Sequence, residues 1–374
     1  MAHAKLSPSS AHRWIKCTAS PKAEEAFPDT TSPYAEEGTY AHTVAAALIN
    51  KRLGNPVEPA PDSAHDSPEL QEHVAAYVDF VINHVDEARR NDPATVVSIE
   101  QRLTMSNWIR EGFGTADAAT VNSNKAQLID LKFGKGLRVD ALDNTQLKIY
   151  GLGLVQEYGH LFDFHTIECV IHQPRLDHVD TFTISRTDLL DWAENELKPA
   201  AEKAFNGTGD FVPGDHCRWC RARHTCRARA EDSLAFESFD FKSPDLLTNE
   251  EVAALLSRAT RVAAWASDVS DYAFTQALAG HQWPGWKLVR GRSVRKYLDV
   301  DAAAAKLIAS GLDEATIYQR SLLGITAMEK ALGKKAFAEL LGDLVHKPEG
   351  APALVPEADS RPPIELTSFQ ELNP

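Results

Sequence analysis

Cysteine and methionine are scarce in this chain, at five and three of 374 residues. So few cysteines, so unevenly placed, argue against a disulfide-built secreted scaffold. No apolar run is long enough to span a bilayer as a helix, which excludes a helical membrane protein. The opening residues Met1 to Leu6 lack an apolar signal region, so a cytosolic protein is expected. There is no internal repeat and no GxxxxGK[ST] loop, so an ATP-driven motor has no support. Positive charge is in deficit: 39 Lys and Arg stand against 53 Asp and Glu, for a net charge of −14. That balance argues against indiscriminate coating of nucleic acid. It leaves room for local basic patches and for carboxylates that serve a metal.

What is present suffices for two or three domains. Hydrophobic residues make up 43% of the chain, enough for a substantial core. Ser7-Pro8-Ser9-Ser10 reads as the start of a short helix carrying Trp14 to Cys17. Ala35 to Leu53 reads as a helix stopped by Gly54. Leu70, Val74, Val78, Val81, Ile82 and Val85 recur at helical spacing and predict an amphipathic helix from Glu69 to Asn91. Val96 to Leu103, Phe162 to His172 and Val179 to Ser185 read as strands, and Asp188 to Phe205 as a helix. The expected fold is α/β, a mixed sheet flanked by helices. Composition shifts after Ala230. Thr248-Asn249-Glu250-Glu251 reads as a capping box opening a long helix to about Gly280. Trp286 to Tyr297 reads as a hairpin, Ala302 to Leu341 as Ala-rich helices, and the tail from Val345 as extended and Pro-rich. The expected division is thus a core over 1–230, a mainly helical extension over 231–344 and a tail over 345–374.

The stretch from Gly114 to Tyr150 concentrates the chemistry. Gly112 to Val121 is β-like, Asn122-Ser123-Asn124 is a turn cluster, and Gln127 to Phe133 alternates as a second strand. Residues two apart on a strand share a face, so Asp130 and Lys132 point the same way. Pairing through the turn brings Asp117 close to both. Gly134 and Gly136 break the strand, and Asp143 or Asn144 caps the helix that follows. Gln146 and Tyr150, four apart, share a face of that helix. Asp117 and Asp130 are suited to a hard divalent cation, and Lys132 to orienting a water or balancing charge on a phosphoryl group. An isolated D-x-K is most often a solvated hairpin, so the signal lies in the combination.

Cys217-Arg218-Trp219-Cys220 is a C-x-x-C, with Cys226 following and Cys17 and Cys169 far upstream. In a cytosolic chain this favours metal over disulfides. Spacing alone leaves zinc and an iron–sulfur cluster both open, zinc being the commoner occupant. Arg218, Arg221, Arg223, Arg227 and Arg229 crowd the knuckle, suited to an anionic cluster or a DNA backbone. Lys287, Arg290, Arg292, Arg295 and Lys296, with Trp283 and Trp286, form a second basic group. A solvated face is the plain alternative for each.

Together these motifs resemble the PD-(D/E)xK nucleases, and within them the RecB/AddB-like group. The resemblance runs from about Leu6 to Arg229. It implies a restriction-endonuclease-like core, with Asp117 and Asp130 as ligands of Mg2+ or Mn2+ and Lys132 as the catalytic lysine. Gln146 and Tyr150 match the group's Q-x-x-x-Y helix beside the active site and the DNA. Gly38 and His42, in Glu37-Gly38-Thr39-Tyr40-Ala41-His42, match its upstream helix, with His42 a further metal ligand. Glu100 matches an acidic residue on the preceding strand. Cys17, Cys217, Cys220 and Cys226 reproduce the arrangement of a subset that holds a [4Fe–4S] cluster, with Zn2+ the alternative. Cys169 is then a buried free thiol.

The overall plan is similar to an uncharacterised phage and prophage family. The resemblance implies a DNA nuclease, an exonuclease in recombination, replication or end processing. Its partners are DNA and, beyond it, a recombinase, a single-strand-binding protein or a polymerase; a homo-oligomer is compatible. The rival expectations are a non-catalytic module that binds DNA ends and a zinc-stabilised adaptor.

Overall fold

Among residues Met1–Leu288, the local signals of the chain set out the elements in order. The computed structural model describes residues 4–29, 32–235, 249–287, 289, 299–310, 318, 324–341 and 344–345. The Ser-Pro-Ser-Ser start forms a single 3-10 turn, followed by α1 (Ala11–Trp14) and α2 (Ser20–Glu24). Helix α1 ends before Cys17, shorter than expected, and Pro21 opens α2 at its second position. Helix α3 (Pro33–Leu53) is capped by the Ser32 side chain and stopped by Gly54, whose φ of 75° suits glycine. Helix α4 (Pro68–Asn91) is capped by Ser67 and buries Leu70, Val74, Tyr77, Val78, Val81 and Val85 along one stripe.

Five strands follow: β1 (Val96–Thr104), β2 (Phe113–Val121), β3 (Lys125–Leu131), β4 (Thr166–Gln173) and β5 (His178–Ser185). Helix α5 (Thr145–Tyr158) separates β3 from β4. Its N-cap is Asn144, whose side chain accepts from the N–H groups of Gln146 and Leu147. The strands lie in the order β1-β2-β3-β4-β5. Every neighbouring pair is antiparallel except β3 and β4, which the α5 crossover makes parallel. Helices α6 (Arg186–Trp192) and α7 (Lys198–Asn206) are joined by one π-helical turn, Ala193–Leu197. Strand β4 starts at Thr166, later than expected, because Leu161 and Phe162 turn back to bond the Tyr158 carbonyl. The fold is therefore the expected α/β class, a five-stranded mixed sheet flanked by helices.

The sheet is buried on both sides. Ala126 and Leu128 pack into a core with α5, α6 and α7, which includes Leu147, Leu154, Leu189 and Leu197. Ile129 and Leu131 pack into a second core with α3 and α4. This near-continuous apolar strand is what coverage of both faces requires. The few polar groups within it, Gln127 and Asp130 among them, therefore stand out.

Helices α8 (Arg227–Leu234) and α9 (Asn249–Leu278) complete the first unit. The division between units falls after Leu288 rather than at the composition shift after Ala230. The reason is that Asp268 of α9 pairs with Arg223 and Arg229. The second unit, Val289–Pro374, contains α10 (Val300–Ala309), α11 (Ile325–Leu332) and α12 (Lys334–Leu341) among its described residues. Thr248, most of the hairpin expected over 286–297 and nearly all of the Pro-rich tail lie outside the described residues. No helix among the described residues is long and apolar enough to cross a membrane.

Candidate metal centre

The site arises where the sheet forks. Strands β2 and β3 pair from Val121↔Ala126 to Ala118↔Ile129, and the pairing stops there. Beyond that point β2 continues along β1, with Thr115 opposite Arg102 and Gly114 opposite Leu103. Strand β3 continues along β4, with Asp130 opposite Ile171 and Leu131 opposite His172. Asp117 is the first residue past the last paired position of β2. Its Oδ2 accepts the Leu131 N–H at 2.7 Å, supplying the acceptor that the parted strand no longer offers.

The other Asp117 oxygen faces α3. His42 Nδ1 lies 3.2 Å from Asp117 Oδ1 and 3.8 Å from Glu100 Oε1. One ligand atom each from His42, Glu100 and Asp117 lie within 4.8 Å of one another. Glu100 belongs to β1 but has a φ of 50°, in the left-handed region. Such a conformation is uncommon outside glycine and gathers at functional positions. Its Cα is opposite Asp117 in the β1–β2 register, yet it drops out of the ladder between Ile99 and Gln101.

Asp130 and Lys132 share a face, as their spacing predicts. Lys132 Nζ lies 2.9 Å from Asp130 Oδ2 and donates to Gln146 Oε1 at 2.9 Å. Gln146 Nε2 in turn lies 3.5 Å from the Tyr150 hydroxyl, one helical turn along α5. Of the expected metal residues His42, Glu100, Asp117 and Asp130, three form a tight group and Asp130 lies beside it. Glu100 completes the group with His42 and Asp117, while Asp130 is engaged with Lys132. Tyr77, which is not among the apolar positions read on α4 from sequence, donates its hydroxyl to the Ile129 carbonyl at 3.2 Å and backs the fork. Gly114 lets Tyr150 approach, since a Cβ there would come within 2.8 Å of both the Tyr150 ring and Pro8.

The electrostatics show an excess of acid. Burial works to lower the His42 pKa, but the charge and hydrogen bond of Asp117, with Glu100 and Asp130, lift it to about 10. Burial raises Asp117, yet the His42 cation and the Leu131 N–H together hold it below the ordinary carboxylate range. Asp130 and Glu100 are raised, first by burial and further by the neighbouring Asp117 charge, against the pull of Lys132 and His42 respectively. Burial would lower Lys132, but Asp130 and Asp117 keep it above its usual value. Three carboxylates against one imidazolium and one ammonium leave room for a further cation. Carboxylate oxygens are donors that hard divalent cations take, and imidazole is a common ligand of transition-metal ions.

The cysteines converge at a second place. Cys17, Cys217, Cys220 and Cys226 line one small cavity together with Arg13, Arg223 and Arg229. The Val212 N–H donates to Cys17 Sγ at 3.5 Å and the Gly214 N–H to Cys217 Sγ at 3.4 Å. Burial raises the thiols of Cys17 and Cys217, and that of Cys220 to about 12. These sulfurs do not form a group as tight as the His42 cluster. Cys169 is fully buried in β4, outside this cavity.

The arginines of the knuckle divide into two kinds. Arg218 lies over the Trp219 ring at 4.9 Å, and Trp219 is 51% exposed. Arg227 is exposed. Arg221 donates to the Phe27 carbonyl at 3.2 Å, and Arg223 to Asp268 at 2.9 Å, so both are tied into the fold. Lys287 of the second basic group is described, whereas Arg290, Arg292, Arg295 and Lys296 lie outside the described residues.

A forked mixed sheet with a carboxylate and imidazole group at the fork defines an α/β protein with a candidate metal centre. The chain belongs to the family described as "Protein of unknown function (DUF2800)", whose model matches residues 3–362. A solved structure titled "Crystal structure of SSO0001" is 14% identical, with a TM-score of 0.22, over 56% of this chain and 95% of that one.

Proposed function

We propose that this protein is a metal-dependent deoxyribonuclease acting on DNA ends, with its core tied together by a thiolate-bound cluster. One observation carries the reading. His42, Glu100 and Asp117 meet within 4.8 Å at a strand fork, and beside them Asp130 and Gln146 hold the Lys132 ammonium. A scaffold has no need to gather three carboxylates, an imidazole and an ammonium at one point, and such a gathering with perturbed carboxylates is typical of functional sites. His42, Glu100 and Asp117 are the residues that would hold Mg2+ or Mn2+. When bound, such an ion polarises a phosphoryl oxygen and acidifies a water.

The remaining groups are the chain's own. Lys132 places a positive charge where a phosphodiester gathers negative charge, and its two partners fix the ammonium before substrate arrives. Gln146 links that ammonium to Tyr150, whose phenol is kept protonated by burial and remains a hydrogen-bond donor. The exposed Arg218, Trp219 and Arg227 suit a DNA strand, by phosphate pairing and by stacking on a base.

The four cysteines fit a metal by their chemistry, since buried thiols gathered on one cavity are the usual ligands of zinc and iron–sulfur clusters. Their spacing suits zinc and a [4Fe–4S] cluster alike, and the resemblance to the four-cysteine nucleases is what favours the cluster. Such a cluster would join Cys17 to the Cys217–Cys226 segment across a very long loop.

The test uses end-labelled single- and double-stranded DNA with Mn2+ or Mg2+, comparing wild type with Asp130→Ala. Metal-dependent shortening by wild type alone is expected. Identical products from both proteins would sink the catalytic reading and leave a non-catalytic module that binds DNA ends. Visible absorption distinguishes the cluster from zinc, which is colourless.

A further inference from the structure

The cysteine cavity is gripped from outside by one face of α9. Arg229 is almost fully buried, and a buried guanidinium needs a partner. Asp268 supplies it, with Oδ2 2.6 Å from Arg229 Nη1, and its other oxygen accepts from Arg223 Nε at 2.9 Å. Each arginine also reaches the backbone of the cysteine loop. Arg223 Nη1 donates to the Cys220 carbonyl at 3.3 Å, and Arg229 Nη1 to the Arg223 carbonyl at 3.1 Å. One turn along α9, Tyr272 stacks on His224 at 4.0 Å and 22°, and Phe27 meets the same imidazole edge-on at 5.1 Å. The loop between Cys220 and Cys226 is thus held at two ends: Arg221 is tied to Glu24 and Phe27 on the N-terminal side, and α9 fixes Arg223, His224 and Arg229 on the other.

We infer that Asp268 is a positioning residue for the cysteine site: with Tyr272 it holds the Cys220–Cys226 loop ready for ligation, so that docking of α9 and retention of the bound metal stabilise each other. The inference rests on the reading of the four cysteines as metal ligands. Its logic is linkage. If docked α9 favours the loaded loop, loading favours docked α9 by the same factor. The long helix beyond the core is then a strut of the metal site, and not a freely moving accessory arm.

The test uses the full chain as purified, in wild-type, Asp268→Asn, Asp268→Glu, Tyr272→Ala and Cys217→Ser forms. Iron and zinc per chain are followed during dialysis against a chelator. Trypsin cleavage within α9 is mapped by mass spectrometry before and after stripping. Asp268→Asn and Tyr272→Ala should hold metal about tenfold more weakly than wild type, giving it up at lower chelator concentration, with Asp268→Glu partly restored. Stripped wild type should be cut within α9 faster than loaded wild type by a similar factor. If Asp268→Asn does not fold, Tyr272→Ala reads the same linkage. Cys217→Ser separates the two claims. Metal lost in Cys217→Ser but held normally in both α9 variants overturns the inference alone. Equal metal in wild type and Cys217→Ser overturns the cysteine reading, and the inference with it. Cleavage of α9 that is unchanged by stripping also overturns the inference.

Discussion

The Leu131 amide and the Asp117 carboxylate meet at 2.7 Å just where β2 and β3 separate. Asp117 thereby does two jobs, closing the sheet with one oxygen and facing His42 with the other. The two can be separated by substitution. Asp117→Asn keeps an oxygen for the Leu131 N–H, whereas Asp117→Ala leaves that buried donor unpaired. Asp117→Ala should cost about 1–3 kcal/mol more in stability than Asp117→Asn. Both should weaken Mn2+ binding about tenfold or more, since a ligand charge is lost in each. Urea unfolding and calorimetric Mn2+ titration check the pair. Equal stabilities would remove the structural half of the argument.

Lys132 is the group whose loss should separate binding from chemistry. It is not among the three residues grouped for a metal, and its ammonium rests on Asp130 and Gln146. Lys132→Ala should leave Mn2+ affinity within about twofold and lower the cleavage rate by about 100-fold or more, the scale of a lost electrostatic stabiliser. Gln146→Ala removes one of the ammonium's two partners and leaves it on Asp130, so it should cost less, about tenfold. Single-turnover rates beside Mn2+ titrations decide. A large loss of metal affinity in Lys132→Ala would instead make the lysine a support of the metal ligands.

The parts of the site read from sequence are those set by local periodicity. Asp130 and Lys132 share a face because a strand repeats every two residues, and Gln146 and Tyr150 because a helix nearly repeats every four. The convergence of Cys17 with the later cysteines came through the family resemblance, because no local rule joins residues so far apart. The role of Glu100 was only faintly visible. Its side chain reaches His42 from a left-handed backbone that sequence does not announce, and from a register that only the sheet defines. Tyr77 lies in an apolar stripe, and nothing local tells that its hydroxyl serves a carbonyl in another element. Asp268 lies beyond a composition shift that suggested a domain boundary, yet its ion pairs bind α9 to the cysteine loop.

Gly114 tests how tightly the fork is packed. Any Cβ at this position meets Pro8 and the Tyr150 ring at 2.8 Å; Tyr150 belongs to the core shared with α5 to α7, and Pro8 is buried. Gly114→Ala must displace Tyr150 or the Pro8 turn. Overpacking of this kind costs about 1–3 kcal/mol, read as a lower urea midpoint. The displaced ring should also weaken the Gln146–Tyr150 contact, so cleavage should fall further than stability alone accounts for. A variant with the wild-type midpoint and rate would mean that the ring yields freely.

His172 predicts how stability responds to acid. Its ring is buried against Phe80, with centroids 4.5 Å apart, and near Tyr77 at 5.8 Å. Its Nδ1 is buried without a hydrogen-bond partner. Burial, helped by nearby His84 and opposed by Asp177, lowers its pKa to about 4. In the unfolded chain the imidazole titrates near ~6.5. Between these values the unfolded state holds a proton that the folded state refuses, so stability must fall as pH drops from ~6.5 toward 4 and level off below. His12, His84, His216 and His224 are also lowered by burial and add to the same slope. The contribution of His172 is therefore read as a difference. His172→Phe keeps an aromatic ring beside Phe80 and cannot take the proton, so wild type should lose more of its urea midpoint than this variant between pH 7.5 and 4.5. Parallel losses in the two proteins would show that the imidazole can be protonated without leaving its pocket.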